Sequence, residues 1–138
     1  MEAELEELKN RWIISEKDPD ERKLRQYVKR LMNYCEITKA GGVSLTKISE
    51  NFSLKNKVRL TLVARFVANK LDNSIAENVS AEEISKFFLV DKKQVNARLK
   101  EIRDDKFALR EEKGIYKLNP SKLDAFLNEL DEKYGVKK

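Results

Sequence analysis

The residues with the clearest chemical potential lie in one polar segment, residues 92–104. Gln94 and Asn96 can each form paired hydrogen bonds with an adenine edge, while lysine suits guanine or a phosphate. The small side chain of Ala97 would let the backbone approach a groove closely, and arginines on the flanks would reach phosphates. This pattern points to contact with double-stranded DNA. The predicted contact residues of the segment are Lys92, Lys93, Gln94, Asn96, Ala97, Arg98, Lys100 and Arg103.

A single helix over residues 92–104 would position these side chains. Successive helical residues share faces every three or four positions, so three apolar residues form a core stripe and most polar residues point away from it. An ordinary amphipathic helix with a solvated polar face has the same pattern. Glu101 and Asp104 favour that alternative because carboxylates repel phosphate, although the first half of the helix, which normally enters the groove, has no acid after its cap. The predicted core stripe is Val95, Leu99 and Ile102.

Two predicted helix starts lie close together ahead of this segment. Ser80 is a predicted N-cap with Glu83 three residues later, as in a capping box, and Asp91 has the same relation to Gln94. The spacing leaves room for a short helix over residues 81–88 and a tight turn before the second helix. Such spacing is typical of a helix-turn-helix.

The apolar spacing then changes from helical to alternating. Residues 107–118 are predicted to form a two-stranded hairpin, in which Gly114 supplies the positive φ that a tight turn needs. Arg110 and Lys113 are the predicted DNA contacts of this hairpin. Two glutamates between them offset their charge, so we expect the hairpin to contribute less to DNA binding than the predicted helix over residues 92–104.

Residues 79–119 resemble the winged helix superfamily of transcription regulators, especially the small archaeal ones. The segments VSAEEIS, DKKQVNARLKEIRDDKF and ALREEKGIYKL carry this resemblance, which covers under half of the chain. It implies a mainly α fold with a small β-hairpin, and a DNA-binding transcription regulator. The alternative is a winged helix that binds protein, as a subunit of a larger transcription or replication assembly. Modest charge, acidic residues in the hairpin and apolar terminal helices favour that alternative.

Residues 1–56 are predicted to be a helical N-terminal extension. Its second helix is expected over residues 20–35, with Asp18 as cap and Pro19 as the first helical residue. The outer face of that helix is almost purely basic, which suits a secondary phosphate contact, although such faces are more often only solvated. The first helix, residues 2–14, has apolar residues at helical spacing. These are Leu5, Leu8 and Trp12, with Ile13 beside them.

Two structures fit residues 36–54. Ala40-Gly41-Gly42 is a turn signal, so residues 37–39 and 43–45 could pair as a short hairpin. Alternatively, Ser44 caps a short helix. We favour the hairpin.

Residues 57–120 are the predicted winged helix domain, which begins with a central helix over residues 57–71. Residues 121–138 are predicted to be a C-terminal amphipathic helix, capped by Ser121 and ended by Gly135. Its bulky apolar stripe either packs on the domain or pairs with a second subunit. A homodimer through the terminal helices is therefore left open. The stripe consists of Leu123, Phe126, Leu127, Leu130 and Tyr134.

The composition argues against several classes of function. The 138 residues carry a net charge of +5, and residues 57–120 hold 14 basic and 10 acidic side chains. With no histidine and one cysteine, neither a zinc finger nor a metal site is expected, and no glycine-rich phosphate loop is present. We expect no enzyme activity, no cofactor and no small-molecule ligand. Without an apolar run of the roughly 20 residues that span a bilayer, and with an acidic start, the chain is expected to be cytoplasmic with no membrane contact.

Overall fold

The computed structural model describes residues 2–12 and 19–135, with the side chains of Glu2, Asn10 and Trp12 left out of the description. Within these residues the fold is mostly helical, with two small antiparallel sheets, as the predicted mainly α class with a β-hairpin requires. The helices are α1 (Glu2–Trp12), α2 (Glu21–Leu31), α3 (Leu54–Leu71), α4 (Ala81–Phe88), α5 (Lys92–Asp104) and α6 (Leu123–Tyr134). The strands are β1 (Cys35–Ile37), β2 (Val43–Leu45), β3 (Val79–Ser80), β4 (Ala108–Glu112) and β5 (Ile115–Leu118), and short 3-10 helices cover Ser49–Asn51 and Pro120–Lys122.

Helix α3 is the centre of the core. It begins three residues before the predicted start, because the Ser53 hydroxyl accepts a hydrogen bond from the Asn56 amide and caps the helix. Every residue from 60 to 68 is buried, which fits a helix contacted on several sides. Helices α2 and α5 and strands β1 and β5 all pack against it.

The elements after α3 follow the predicted order. The Ser80 hydroxyl accepts from the Glu83 amide at 3.1 Å, and the Asp91 carboxylate accepts from the Lys93 amide at 2.9 Å, so both predicted caps are confirmed. The stripe Val95, Leu99 and Ile102 is fully buried. Strand β3 was not predicted; it pairs with β5, which gives the strand order β3-β5-β4.

Besides the start of α3, three predicted helix boundaries are wrong. Helix α2 begins at Glu21 with Asp20 as its cap and ends at Leu31, because the following residues turn into β1, which contains Cys35. Asp18 lies outside the described residues, as does Ile13. Helix α6 begins at Leu123; Ser121 does not cap it, because its amide and hydroxyl both donate to the side chain of Asn119, which caps the preceding 3-10 helix.

The favoured hairpin over residues 36–54 is confirmed. Strands β1 and β2 pair antiparallel with Ile37 opposite Val43. Ser44 lies inside β2, so it does not cap a helix; a 3-10 turn follows only at Ser49–Asn51. Lys39 lies in the turn rather than in a strand.

Polar pairs join α2 and its following turn to α6. The Tyr27 hydroxyl donates to Asp124 at 2.8 Å, Arg30 Nε donates to Asp131 at 2.8 Å, and the Tyr34 hydroxyl donates to Asp131 at 2.5 Å. Arg30, one of the residues of the predicted basic outer face of α2, is therefore engaged inside the fold. The apolar stripe of α6 is covered by the same chain, so the first of its two predicted roles is observed. No helix in residues 2–12 or 19–135 has the length and apolar character needed to cross a bilayer.

Candidate nucleic-acid interface

A basic groove of about 580 Å³ lies between α5 and the β4–β5 hairpin. Five of its eight lining residues are lysine or arginine, and none is acidic. Cations gathered in a concave surface strengthen the local positive potential and attract polyanions. The basic groove is lined by Lys92, Asn96, Lys100, Arg103, Arg110, Lys113, Gly114 and Tyr116.

One face of α5 supplies half of this lining. Lys92, Asn96, Lys100 and Arg103 are spaced by four, four and three residues, so they lie in one row along the helix. Burial of Val95, Leu99 and Ile102 against the core fixes the rotation of the helix and directs this row towards the hairpin.

The structure separates the predicted contact residues into groups. Six of the ten, four on α5 and two on the hairpin, line the basic groove. Lys93, Gln94 and Ala97 are exposed but do not line it; helical geometry places Lys93 and Ala97 on the solvent side, opposite the core stripe. Arg98 is half-buried and is held by Glu101, with 2.7 Å between the guanidinium and the carboxylate.

The hairpin contributes more to this surface than its sequence suggested. Its pairing shifts between Arg110, opposite Tyr116, and Glu112, opposite Ile115, so Glu111 is an extra residue on β4. Arg110 and Lys113 line the groove, whereas Glu111 and Glu112 do not. The two glutamates that offset the charge of the hairpin therefore lie outside the groove lining.

The carboxylates near the end of α5 are paired by cations from α3. Lys55 Nζ lies 3.0 Å from the Asp105 carboxylate and 3.8 Å from that of Glu101, while Arg59 lies 3.6 Å from Asp105. Of the two acids that favoured an ordinary solvated helix, Glu101 is thus paired away from the groove. Asp104 remains exposed, 3.9 Å from the Arg103 guanidinium.

Two groove residues, Gly114 and Tyr116, were not predicted as contact residues, although each stands in a recognisable sequence pattern. Gly114 was assigned only a turn role, and its φ of +76° agrees with that role. Tyr116 lies on β5, where buried and partly exposed residues alternate, and it is buried itself. No local signal pointed to Lys55 and Arg59, because their acidic partners lie more than 40 residues away in the sequence.

A buried arginine positions α4 against α3. The Arg65 guanidinium donates to the carbonyls of Gly41, Ala76 and Asn78 at 2.6–3.1 Å, and lies 3.0 Å from the Glu83 carboxylate. Glu83 therefore pairs with Arg65, and no bond back to the Ser80 amide completes the predicted capping box. This cluster connects α3, the first hairpin and the start of α4, so it supports the helix pair that carries the groove.

The rest of the described chain offers little reactive chemistry. No group of three or more His, Cys, Asp or Glu side chains that could hold a metal ion occurs in the described ranges. Burial raises the pKa of the Cys35 thiol to about 12, so the thiol stays protonated and is a poor nucleophile near neutrality.

Comparison with known proteins gave no matching family model, and no significant match among curated proteins or solved structures.

Proposed function

We propose that this chain is a winged helix protein that binds double-stranded DNA and acts as a transcription regulator. The order α3, β3, α4, α5, β4, β5, with β3 paired to β5, supports the winged helix assignment. The observation that carries the DNA proposal is the basic groove, where five lysine and arginine side chains line one surface and no lining residue is acidic. Salt-dependent binding of phosphates is the ordinary use of such a surface.

Two faces of α5 would make different contacts with DNA. Its solvent side, with Lys93 and Ala97, would approach base edges in the major groove, where Lys93 suits guanine or phosphate. The groove side, with Lys92 and Lys100, would hold the phosphate backbone between α5 and the hairpin. Phosphate contacts set the register of a protein on DNA, while base contacts provide the specificity.

Duplex binding measured by fluorescence anisotropy at several salt concentrations tests the proposal. Each phosphate contact releases a counterion, so affinity should fall steeply as salt rises. Lys100→Ala and Arg110→Ala should each weaken binding about tenfold and make the salt slope shallower by about 1. Lys47→Ala is the matched control, because it removes the same charge from an exposed position outside the basic groove.

Two results would end the DNA proposal. One is no binding to duplex at low salt; the other is an equal loss of affinity in Lys47→Ala and Lys100→Ala. Within the proposal, Lys93→Ala or Asn96→Ala should weaken binding far more than Glu129→Ala. Equal effects of these variants on affinity would contradict the assignment of α5 as the recognition helix.

An interaction subunit of a larger transcription or replication assembly is the second candidate. The observation that favours it is an apolar surface beside α2, where Met32 and Leu71 stay largely exposed. Exposed apolar patches of this kind mark protein contacts. A chain that binds no duplex, together with a partner bound through this surface, would favour the second candidate.

A further inference from the structure

An apolar cleft of about 430 Å³ lies between α2, β1 and the second half of α3. Ten of its twelve lining residues are apolar or cysteine, among them Val28, Ile37 and Ile75. On its rim, Met32 is 67 % exposed and Leu71 is 61 % exposed. Most of the deeper lining, such as Leu31 and Val67, is buried, so the uncovered apolar surface is the rim that Met32 and Leu71 form.

Helix α1 has an uncovered apolar face of its own. Its described side chains, residues 3–9 and 11, are all exposed. Leu5 and Leu8 are 60 % and 48 % exposed, and their spacing of three residues places them on one face of the helix. A short helix gains most of its stability by burying such a face rather than from propensity.

We propose that the apolar cleft receives α1 of a second copy of this chain, and that the exchange is reciprocal. The product is a two-fold homodimer in which each α1 lays Leu5 and Leu8 against Met32 and Leu71 of the other copy. Reciprocal contacts are the normal arrangement of a two-fold interface. The mode is that of an amphipathic helix in an apolar groove.

Charges around the two surfaces are complementary. Helix α1 is acidic in its first half and has Lys9 and Arg11 in its last turn. Beside the cleft, α2 exposes Lys29 next to the lining residue Val28, and Arg25, paired with Glu21 at 3.4 Å, one turn earlier. The carboxylates of Glu36 and Asp72 belong to the lining itself. Pairing of unlike charges would set the direction of the docked helix more than its affinity.

In the single chain α1 does not fill the cleft, since no described residue of α1 lines it. The eight residues between α1 and α2, residues 13–20, span at most about 29 Å, which permits closure, yet in the single chain both apolar faces stay uncovered. Reciprocal docking also doubles the area that one helix buries.

Sedimentation of the full chain without DNA is the first test, and it does not depend on the proposed function. The chain should sediment as a dimer at tens of micromolar. Leu8→Asp and Leu71→Asp should each raise the dissociation constant about tenfold or more, because each places a charge in the apolar contact. The control is Leu109→Asp, which alters a leucine that is 42 % exposed on β4, away from the cleft.

Cross-linking between different chains is the second test. Cys35, the sole cysteine, is changed by Cys35→Ala. One chain then carries Leu8→Cys, and a chain enlarged by a tag carries Leu71→Cys; the two are mixed and treated with a short bis-maleimide.

A product with the combined mass of both chains is expected, and Leu109→Cys in place of Leu71→Cys should give little. A chain that stays monomeric would overturn the inference. So would a chain with both Leu8→Cys and Leu71→Cys that links only within itself.

Discussion

The buried Arg65 and the exposed lysines of the basic groove have opposite surroundings. The Arg65 side chain is 4 % exposed and has four oxygen partners, three carbonyls and one carboxylate. Lys92 and Lys100 of the basic groove are exposed and share a surface with no acidic lining residue. The difference teaches that the partners of a cation, more than its charge, decide whether it supports the fold, as Arg65 does, or stays at the surface for the proposed contact.

The physical consequences of the two settings are also opposite. A buried guanidinium stabilises a fold only while its partners are present, because an uncompensated charge or carbonyl in the interior is costly. Like charges at the surface repel one another weakly in water and are relieved by a polyanion. Changes at Arg65 should therefore affect folding, and changes in the groove should affect binding.

The largest expected effect is from Arg65→Met. The substitution keeps side-chain bulk but leaves the carbonyls of Gly41, Ala76 and Asn78 without their donor, so the free energy of unfolding should fall by about 3 kcal/mol. Urea denaturation followed by circular dichroism measures this change. The matched control, Lys100→Met, should stay within about 0.5 kcal/mol of the wild type. Equal losses in both variants would contradict the comparison.

A smaller effect is expected at the junction of α2 and α6. Tyr27→Phe removes the hydrogen bond to Asp124 and should lower the free energy of unfolding by about 1 kcal/mol at pH 8. Burial, aided by that hydrogen bond, raises the pKa of Tyr27 to about 12 in the folded chain, whereas an unfolded tyrosine ionises near pH 10.

The pH dependence of the same variant follows from linkage. A raised folded pKa means that the contribution of Tyr27 is complete below about pH 10 and is lost as pH rises towards 12. The difference between wild type and Tyr27→Phe should therefore shrink across this range. Denaturation midpoints at pH 8, 10 and 11 provide the measurement, and a constant difference would show that the tyrosine titrates alike in both states.

The smallest expected effect is a gain at the turn between α4 and α5. Leu89 has a φ of +54°, a left-handed conformation that favours glycine, and its side chain is 92 % exposed. Leu89→Gly should raise the free energy of unfolding by about 0.5 kcal/mol, since relief of strain is partly offset by the flexibility of glycine in the unfolded chain. Thermal unfolding measures it. Unchanged duplex affinity would place Leu89 outside the DNA contact, and a clear loss would extend that contact to the turn.

The elements around the groove were predictable because their signals are local. Ser80 and Asp91 each cap a helix by accepting a hydrogen bond from an amide two or three residues further on, and the core stripe of α5 repeats every three or four residues. Predictions of helix ends failed where a competing local bond took over, as with Asn119 and Ser121. The sequence offers no comparable sign of two-residue strand β3, since its pairing partner on β5 is distant.

The sequence by itself determined that α5 is basic and that a hairpin with a glycine turn follows it. Only the tertiary structure decided which row of α5 meets Arg110 and Lys113, and that Glu101 and Asp105 pair with a cation of α3. The physical reason is the distance along the chain over which each signal acts. Caps and periodicity act over a few residues, whereas burial of the α5 core stripe fixes the orientation of the whole helix and so the direction of all its remaining side chains.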